Sequence, residues 1–132
     1  MKLIINIPAY NEAEKIGETV RRIPRSFEGI DEVTVHVVDD GSSDHTARIA
    51  REAGADRVIT HPRNMGLGKA FRTSVEAALE AGADIMVNID ADGQFDPNDI
   101  GTLIKPILSG KTDIVSADRF GERAAHNIPP IK

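Results

Sequence analysis

Short apolar runs alternate with segments of helical period along this chain, and that alternation limits its fold more than any other feature. Residues 3–7, 33–38, 57–60, 83–90 and 113–117 read as strands. The first, LIINI, is apolar with little alternation, as suits a central strand covered on both faces. Helical segments separate the strands. Such alternation predicts an α/β fold, a mainly parallel sheet with helices on both faces.

The helices have readable ends. One begins near Glu12 with Asn11 as a plausible N-cap. It carries Ile16, Val20 and Ile23 at helical spacing, and Pro24 stops it. A second spans residues 45–53, capped by Ser43 or Asp44 and ended by Gly54. A third spans residues 67–81, with Phe71, Ser74, Val75, Ala78 and Leu79 as its buried face. Pro97 suits the first turn of a fourth, whose Ile100, Leu103, Ile104, Ile107 and Leu108 make an apolar stripe; Pro106 is expected to bend or divide it.

Polar residues collect just after the strands: Pro8 to Glu12, Asp39 and Asp40, Asp90 to Gln94, and Arg119. In an open parallel sheet the C-terminal strand ends share one edge, where ligands bind. The densest group is NIDADGQFDP at 88–97. Side chains two apart in a strand point the same way, so Asp90 and Asp92 aim at one point just past its end. Two carboxylates held together need a cation or a proton between them. Oxygen ligands suit Mg2+ or Mn2+, which commonly combine one or two carboxylates with substrate phosphates. The competing reading is an Asp-rich turn, because D-A-D-G is also ordinary turn chemistry.

In DDGSSD at 39–44 adjacent carboxylates point to opposite sides. At most one faces the crevice, while the other binds local backbone N–H groups. Turn and cap formation is here the stronger reading. Lys69 and Arg63 stand near a phosphate or are solvated charges. G-L-G-K at 66–69 lacks the spacing of a phosphate-binding P-loop. The four His have no metal-ligand spacing.

Composition narrows the function. A chain of 132 residues is one domain of ordinary size. Its net charge of -5 argues against a nucleic-acid partner held by a basic surface. The absence of Cys excludes disulfides, Cys zinc sites and a thiol nucleophile, and fits a reducing cytoplasm. No apolar run reaches membrane-spanning length, and nothing resembles a signal peptide. Lys105, Lys111, Arg123 and Lys132 make the last third mildly basic: scattered solvated charge, or a surface for an anionic membrane.

Four blocks in order, IPAYNE (7–12), VVDDGSSDHT (37–46), NMGLGKA (64–70) and NIDADGQFDP (88–97), resemble the family-2 glycosyltransferases of GT-A (Rossmann-like, nucleotide-diphospho-sugar transferase) fold. With DIVSADRF following, the chain looks most like the polyprenyl-phosphate type, the dolichol-phosphate mannose or glucose synthases. The resemblance implies a metal-dependent, inverting hexosyl transfer from a UDP- or GDP-sugar, with a polyprenyl or dolichyl phosphate as the acceptor. It implies that Pro8, Tyr10 and Glu12 line the base and ribose pocket. Asp40 would bind the base with Val38 beside it. Asp90, Ala91 and Asp92 would be the DXD element, with Asp90, Asp92 and Gln94 holding Mg2+ or Mn2+ on the diphosphate. Arg119 would reach the phosphates or the lipid phosphate.

By the same resemblance, residues 1–132 are the nucleotide-sugar-binding N-terminal part of the domain. The acceptor-binding half, with the family's carboxylate base, is expected beyond them. The expected location is the cytoplasm, peripheral to a membrane if the acceptor is a lipid. Three alternatives stand beside this reading. A nucleotide-binding fragment would hold donor and metal without transfer. A sugar-nucleotide pyrophosphorylase would carry a Gly-rich basic loop where PAYNEAEK stands. A phosphoacceptor receiver would need a Lys after the fifth strand.

Overall fold

A computed structural model describes residues 1–110 and the backbone of 114–116. The strands are β1 (Lys2–Ala9), β2 (Glu32–Asp39), β3 (Arg57–Thr60), β4 (Ile85–Asn88) and β5 (Ile114–Ser116). They form one sheet in the order β3-β2-β1-β4-β5, every pair parallel. The helices are α1 (Ile16–Arg22), α2 (Thr46–Glu52), α3 (Leu67–Glu80) and α4 (Ile100–Leu108).

β1 is the central strand. Leu3, Ile4, Ile5 and Ile7 are fully buried, so successive side chains meet protein on opposite faces. On one face Leu3, Ile5 and Ile7 join Val35, Val37, Ile85 and Val87. Ile16 and Val20 of α1, Ala50 of α2 and Ile100, Leu103, Ile104 and Ile107 of α4 complete that core. On the other face α3 sets Ala78 against Ile4 and Met86. β1 has β2 on one side and β4 on the other, so the sheet switches direction beside it. A ligand crevice is expected at the C-terminal ends of β1 and β4.

The structure differs from the sequence expectation in several places. On α3 the buried residues are Ala70, Ser74, Ala77 and Ala78, whereas Phe71 and Leu79, expected on that face, are exposed. Helix α1 starts at Ile16, and its N-cap position is Lys15 rather than Asn11. Asn11 adopts the left-handed conformation, φ 51°, and its side chain is engaged with the loop after β2. Helix α4 runs undivided through Pro106, which lies in its last turn. A 3-10 turn at Pro97–Asp99 precedes it, capped by the Asp96 carboxylate accepting from the Asn98 N–H. Strand β4 ends at Asn88, so Asp90 and Asp92 lie beyond it. Strict strand alternation is therefore not what brings them together.

Candidate functional site

The loops after β1 and β2 form one hydrogen-bonded frame. The Asn11 N–H donates to Ser42 Oγ at 2.8 Å, and the Glu12 N–H donates to Thr46 Oγ1 at 3.0 Å. In return Asn11 Oδ1 accepts from the Ser43 N–H at 2.9 Å and from Ser43 Oγ at 3.2 Å. The Asp44 carboxylate accepts from the Ala13 N–H, the Thr46 N–H and the Thr46 hydroxyl. The Thr46 hydroxyl bond, helped by the backbone donors against some burial, holds the Asp44 carboxyl below the usual carboxylate range. Asn11, Ser42, Ser43, Asp44 and Thr46 are thus framework; for Ser42, Ser43 and Asp44 this agrees with the turn-and-cap reading of DDGSSD.

The two adjacent Asp residues divide as expected. Asp39 turns to its own loop and accepts from the Ser42 N–H at 3.0 Å. Asp40 lines the crevice but is also bound from behind. Its Oδ1 meets His61 Nδ1 at 2.8 Å and accepts from the Met65 N–H at 2.9 Å; its Oδ2 accepts from the Gly66 N–H at 2.9 Å. Burial pushes this carboxyl up. The bonds from His61, Met65 and Gly66 together outweigh burial and hold it below its ordinary value, so Asp40 is an anion at neutral pH. Asp40 therefore ties the loop after β3 to the end of β2. Gly41 makes that approach sterically possible. Its φ is +76°, and a Cβ there would lie 2.1 Å from the Arg63 carbonyl carbon.

The third wall is the segment after β4. Asp92 accepts from the Gln94 N–H at 3.0 Å, an Asx turn closed by Gly93 at φ 77°. The Thr19 hydroxyl lies 3.2 Å from the Ala91 carbonyl oxygen, tying this turn to α1. The turn reading of D-A-D-G holds for Asp92, and both Asp90 and Asp92 line the crevice described next.

A crevice of about 450 Å³ opens where these loops meet, lined among others by Pro8, Tyr10, Glu12, Asp40, Asp90, Ala91 and Asp92. These seven come from three separate sequence blocks. Tyr10 is 47% exposed, which leaves its ring able to stack on a ligand. Val38 is fully buried, and Val38, Lys69 and Gln94 are not among the lining residues. Gln94 enters through its backbone, as the donor to Asp92. Arg119 lies outside the described residues. The sequence reading did not single out Asn64, Leu67 and Ala70, which also line the crevice, or His61. The NMGLGKA block was the available signal for the first three.

The donor set fits a hard divalent cation. Asp90 and Asp92, both with carboxylate side chains, stand at one wall of the crevice. Among the described residues no group of three or more His, Cys, Asp or Glu could hold a metal ion alone. A diphosphate would supply the remaining oxygens, as is usual for Mg2+.

Comparison with known proteins identifies the family. The pattern of the family described as "Glycosyl transferase family 2" matches residues 4–127. The chain belongs to glycosyl transferase family 2. It is 35% identical over 144 residues to the UDP-N-acetylglucosamine--dolichyl-phosphate N-acetylglucosaminyltransferase of Methanococcus voltae, covering 96% of this chain and 55% of that protein. It is 36% identical over 123 residues to the dolichol-phosphate mannosyltransferase of Pyrococcus furiosus, covering 91% and 34%. Among solved structures it resembles glucosyl-3-phosphoglycerate synthase from Mycobacterium tuberculosis in complex with Mn2+, UDP-glucose and phosphoglyceric acid. There the TM-score is 0.67 at 28% identity, over 83% of this chain and 40% of that one. The fold of this family-2 glycosyltransferase is therefore GT-A. The chain spans about half, or less, of the length of these relatives.

Proposed function

We propose that this glycosyltransferase chain carries the donor side of a metal-dependent, inverting transfer, in which a hexosyl group passes from a UDP- or GDP-sugar to a polyprenyl or dolichyl phosphate. The observation that carries the reading is the convergence of four strand-end loops, after β1, β2, β3 and β4, on one crevice at the sheet's switch point. Pro8, Tyr10 and Glu12 face the base and ribose, and Val38 stands beside the base-binding Asp40. Asp40 receives the base. Asp90, Ala91 and Asp92 face the diphosphate, with Gln94 shaping their turn; Lys69 and Arg119 add positive charge towards phosphates. A Mg2+ or Mn2+ held by Asp90 and Asp92 would supply Lewis-acid stabilisation of the leaving diphosphate. The two archaeal relatives, named for dolichyl-phosphate and dolichol-phosphate transfer, support the acceptor class. A phosphate monoester has a second pKa of about 6 and is already anionic at neutral pH, so such an acceptor needs no general base. The work is then to bring the acceptor to the anomeric carbon opposite the leaving group. Among the described residues no helix is long and apolar enough to cross a membrane. On this reading the protein meets its lipid acceptor from the cytoplasmic face, at the membrane surface.

Calorimetric titration with UDP and GDP, each with and without Mn2+, tests the donor site. The expected result is metal-dependent binding of one nucleotide, weakened at least about tenfold, or ~1.4 kcal/mol, in Asp92→Ala. Failure of both nucleotides to bind the folded chain would remove the site assignment. A transfer assay with a short-chain polyprenyl phosphate tests the second half of the reading. Binding without turnover would reduce it to a nucleotide-binding unit.

A further inference from the structure

The loop after β3 contributes a residue that no motif marks. His61 is buried, 7% exposed, at the end of β3, and both ring nitrogens are engaged. Nδ1 lies 2.8 Å from Asp40 Oδ1, and Nε2 lies 2.8 Å from Thr73 Oγ1 on α3. An ionised carboxylate only accepts, so the proton of that pair sits on Nδ1, and the Thr73 hydroxyl completes the ring at Nε2. The His61 backbone is fixed as well, since its N–H donates to the Asp39 carbonyl at 2.8 Å. The imidazole is thus a rigid strut between helix α3 and the end of β2.

The strut fixes what Asp40 can do. A carboxylate has about four acceptor positions. Three are filled here, two on Oδ1 by His61 and the Met65 N–H and one on Oδ2 by the Gly66 N–H. One position, on Oδ2, is left for the crevice that Asp40 lines. A single anionic acceptor with fixed direction suits a ring N–H donor, such as uracil N3–H or guanine N1–H.

We propose that His61, braced by Thr73, is a positioning residue that aims the one remaining acceptor of Asp40 at the ring N–H of the donor base, and so sets how strongly that N–H is read. The inference rests on the nucleotide-sugar reading above. Removing the imidazole frees Asp40 to rotate towards its two backbone donors, and the directed bond to the base is lost. The diphosphate end of the site, held by the segment after β4, is untouched.

The test is a cycle between residue and ligand. Whichever of UDP and GDP binds the wild-type chain better with Mn2+ is compared with its N-methylated form, N3-methyl-UDP or N1-methyl-GDP. Wild type is expected to lose about tenfold or more on methylation, the range for a hydrogen bond to a charged group. His61→Ala is expected to bind the parent nucleotide as weakly as wild type binds the methylated one, and to show less than about a threefold further methylation penalty. His61→Asn, whose amide N–H falls where Nδ1–H was, is expected to recover the penalty; His61→Gln, which reaches towards the Nε2 position, is not. Thr73→Val, which keeps the shape of the side chain, is expected to reduce the penalty part-way. A merely structural His61 would lower affinity for both ligands alike and leave the methylation penalty at its wild-type size, and that result overturns the proposal. So does equal behaviour of the Asn and Gln variants. Failure of wild type to bind either parent nucleotide would instead fall on the nucleotide-sugar reading.

Discussion

Gly41→Ala is the sharpest test of how the crevice is built. The glycine sits at φ +76°, and an added Cβ would lie 2.1 Å from Arg63 C, 2.5 Å from Arg63 O and 2.5 Å from Asn64 N. All three neighbours are backbone, so no side chain can swing away. A non-glycine residue in the left-handed region costs about 1–2 kcal/mol. Forcing apart two packed backbones adds about 1–3 kcal/mol, which brings the sum to about 2–5 kcal/mol. At about 2.1 cal/mol/K of unfolding entropy per residue, each kcal/mol lowers the Tm of a chain this size by about 3–4 °C. The expected drop is therefore roughly 7–18 °C. Thermal unfolding followed by circular dichroism reads it directly. Gly68→Ala is the control: a Cβ there meets nothing within 4 Å, and replacing a helical glycine gains about 0.5–1 kcal/mol. Nucleotide affinity should fall in the Gly41 variant even well below its Tm, because displacing Arg63 and Asn64 shifts the Met65 and Gly66 donors from Asp40. A Gly41→Ala chain melting within about 2 °C of wild type would mean that the two loops do not touch as described, and the account of the crevice wall would fail with it.

Other outcomes follow from the same contacts. The Asp40 carboxyl has a folded pKa below its unfolded value of about 3.9, because the His61, Met65 and Gly66 bonds outweigh burial. Its contribution is therefore fully present above that unfolded value and is lost as pH falls through the lower, folded value. Acid unfolding of Asp40→Asn should show a shallower loss of stability below pH ~4 than wild type; an unchanged slope would contradict the assignment. Asn11→Ala loses both bonds from Ser43 and places a Cβ residue at φ 51°, while Asn11→Gly loses only the bonds. Urea unfolding should find Asn11→Ala less stable than Asn11→Gly by about 1 kcal/mol, and the reverse order would refute the left-handed backbone.

Much of the fold and part of the site were legible in the sequence. Strand–helix alternation determined a parallel sheet, because each apolar run is too short to be anything but a covered strand and each helical stripe needs a sheet to bury it. The position of polar residues after strands determined which loops share an edge. The family blocks marked Pro8, Tyr10, Glu12, Asp40 and the Asp90–Asp92 element as members of one site. Local turn chemistry was readable too, in the division of labour between Asp39 and Asp40.

Only the tertiary structure decided the rest, and the reason is that hydrogen-bond partners far apart in sequence leave no local signature. Asn11 looks like a helix cap until Ser43 is seen to donate to it, 32 residues away. Asp90 and Asp92 reach one crevice although strand β4 stops at Asn88. The turn at Gly93 orients Asp92, and the period of a strand orients neither. Gly41 is needed because the backbone of Arg63 passes against it, a contact set by the pairing of β2 with β3. His61, an isolated histidine in a loop by sequence, becomes the strut behind Asp40 only when α3 brings Thr73 to its far nitrogen. Local periodicity determines which elements form. Long-range packing determines which of their polar ends are framework and which are left facing the crevice.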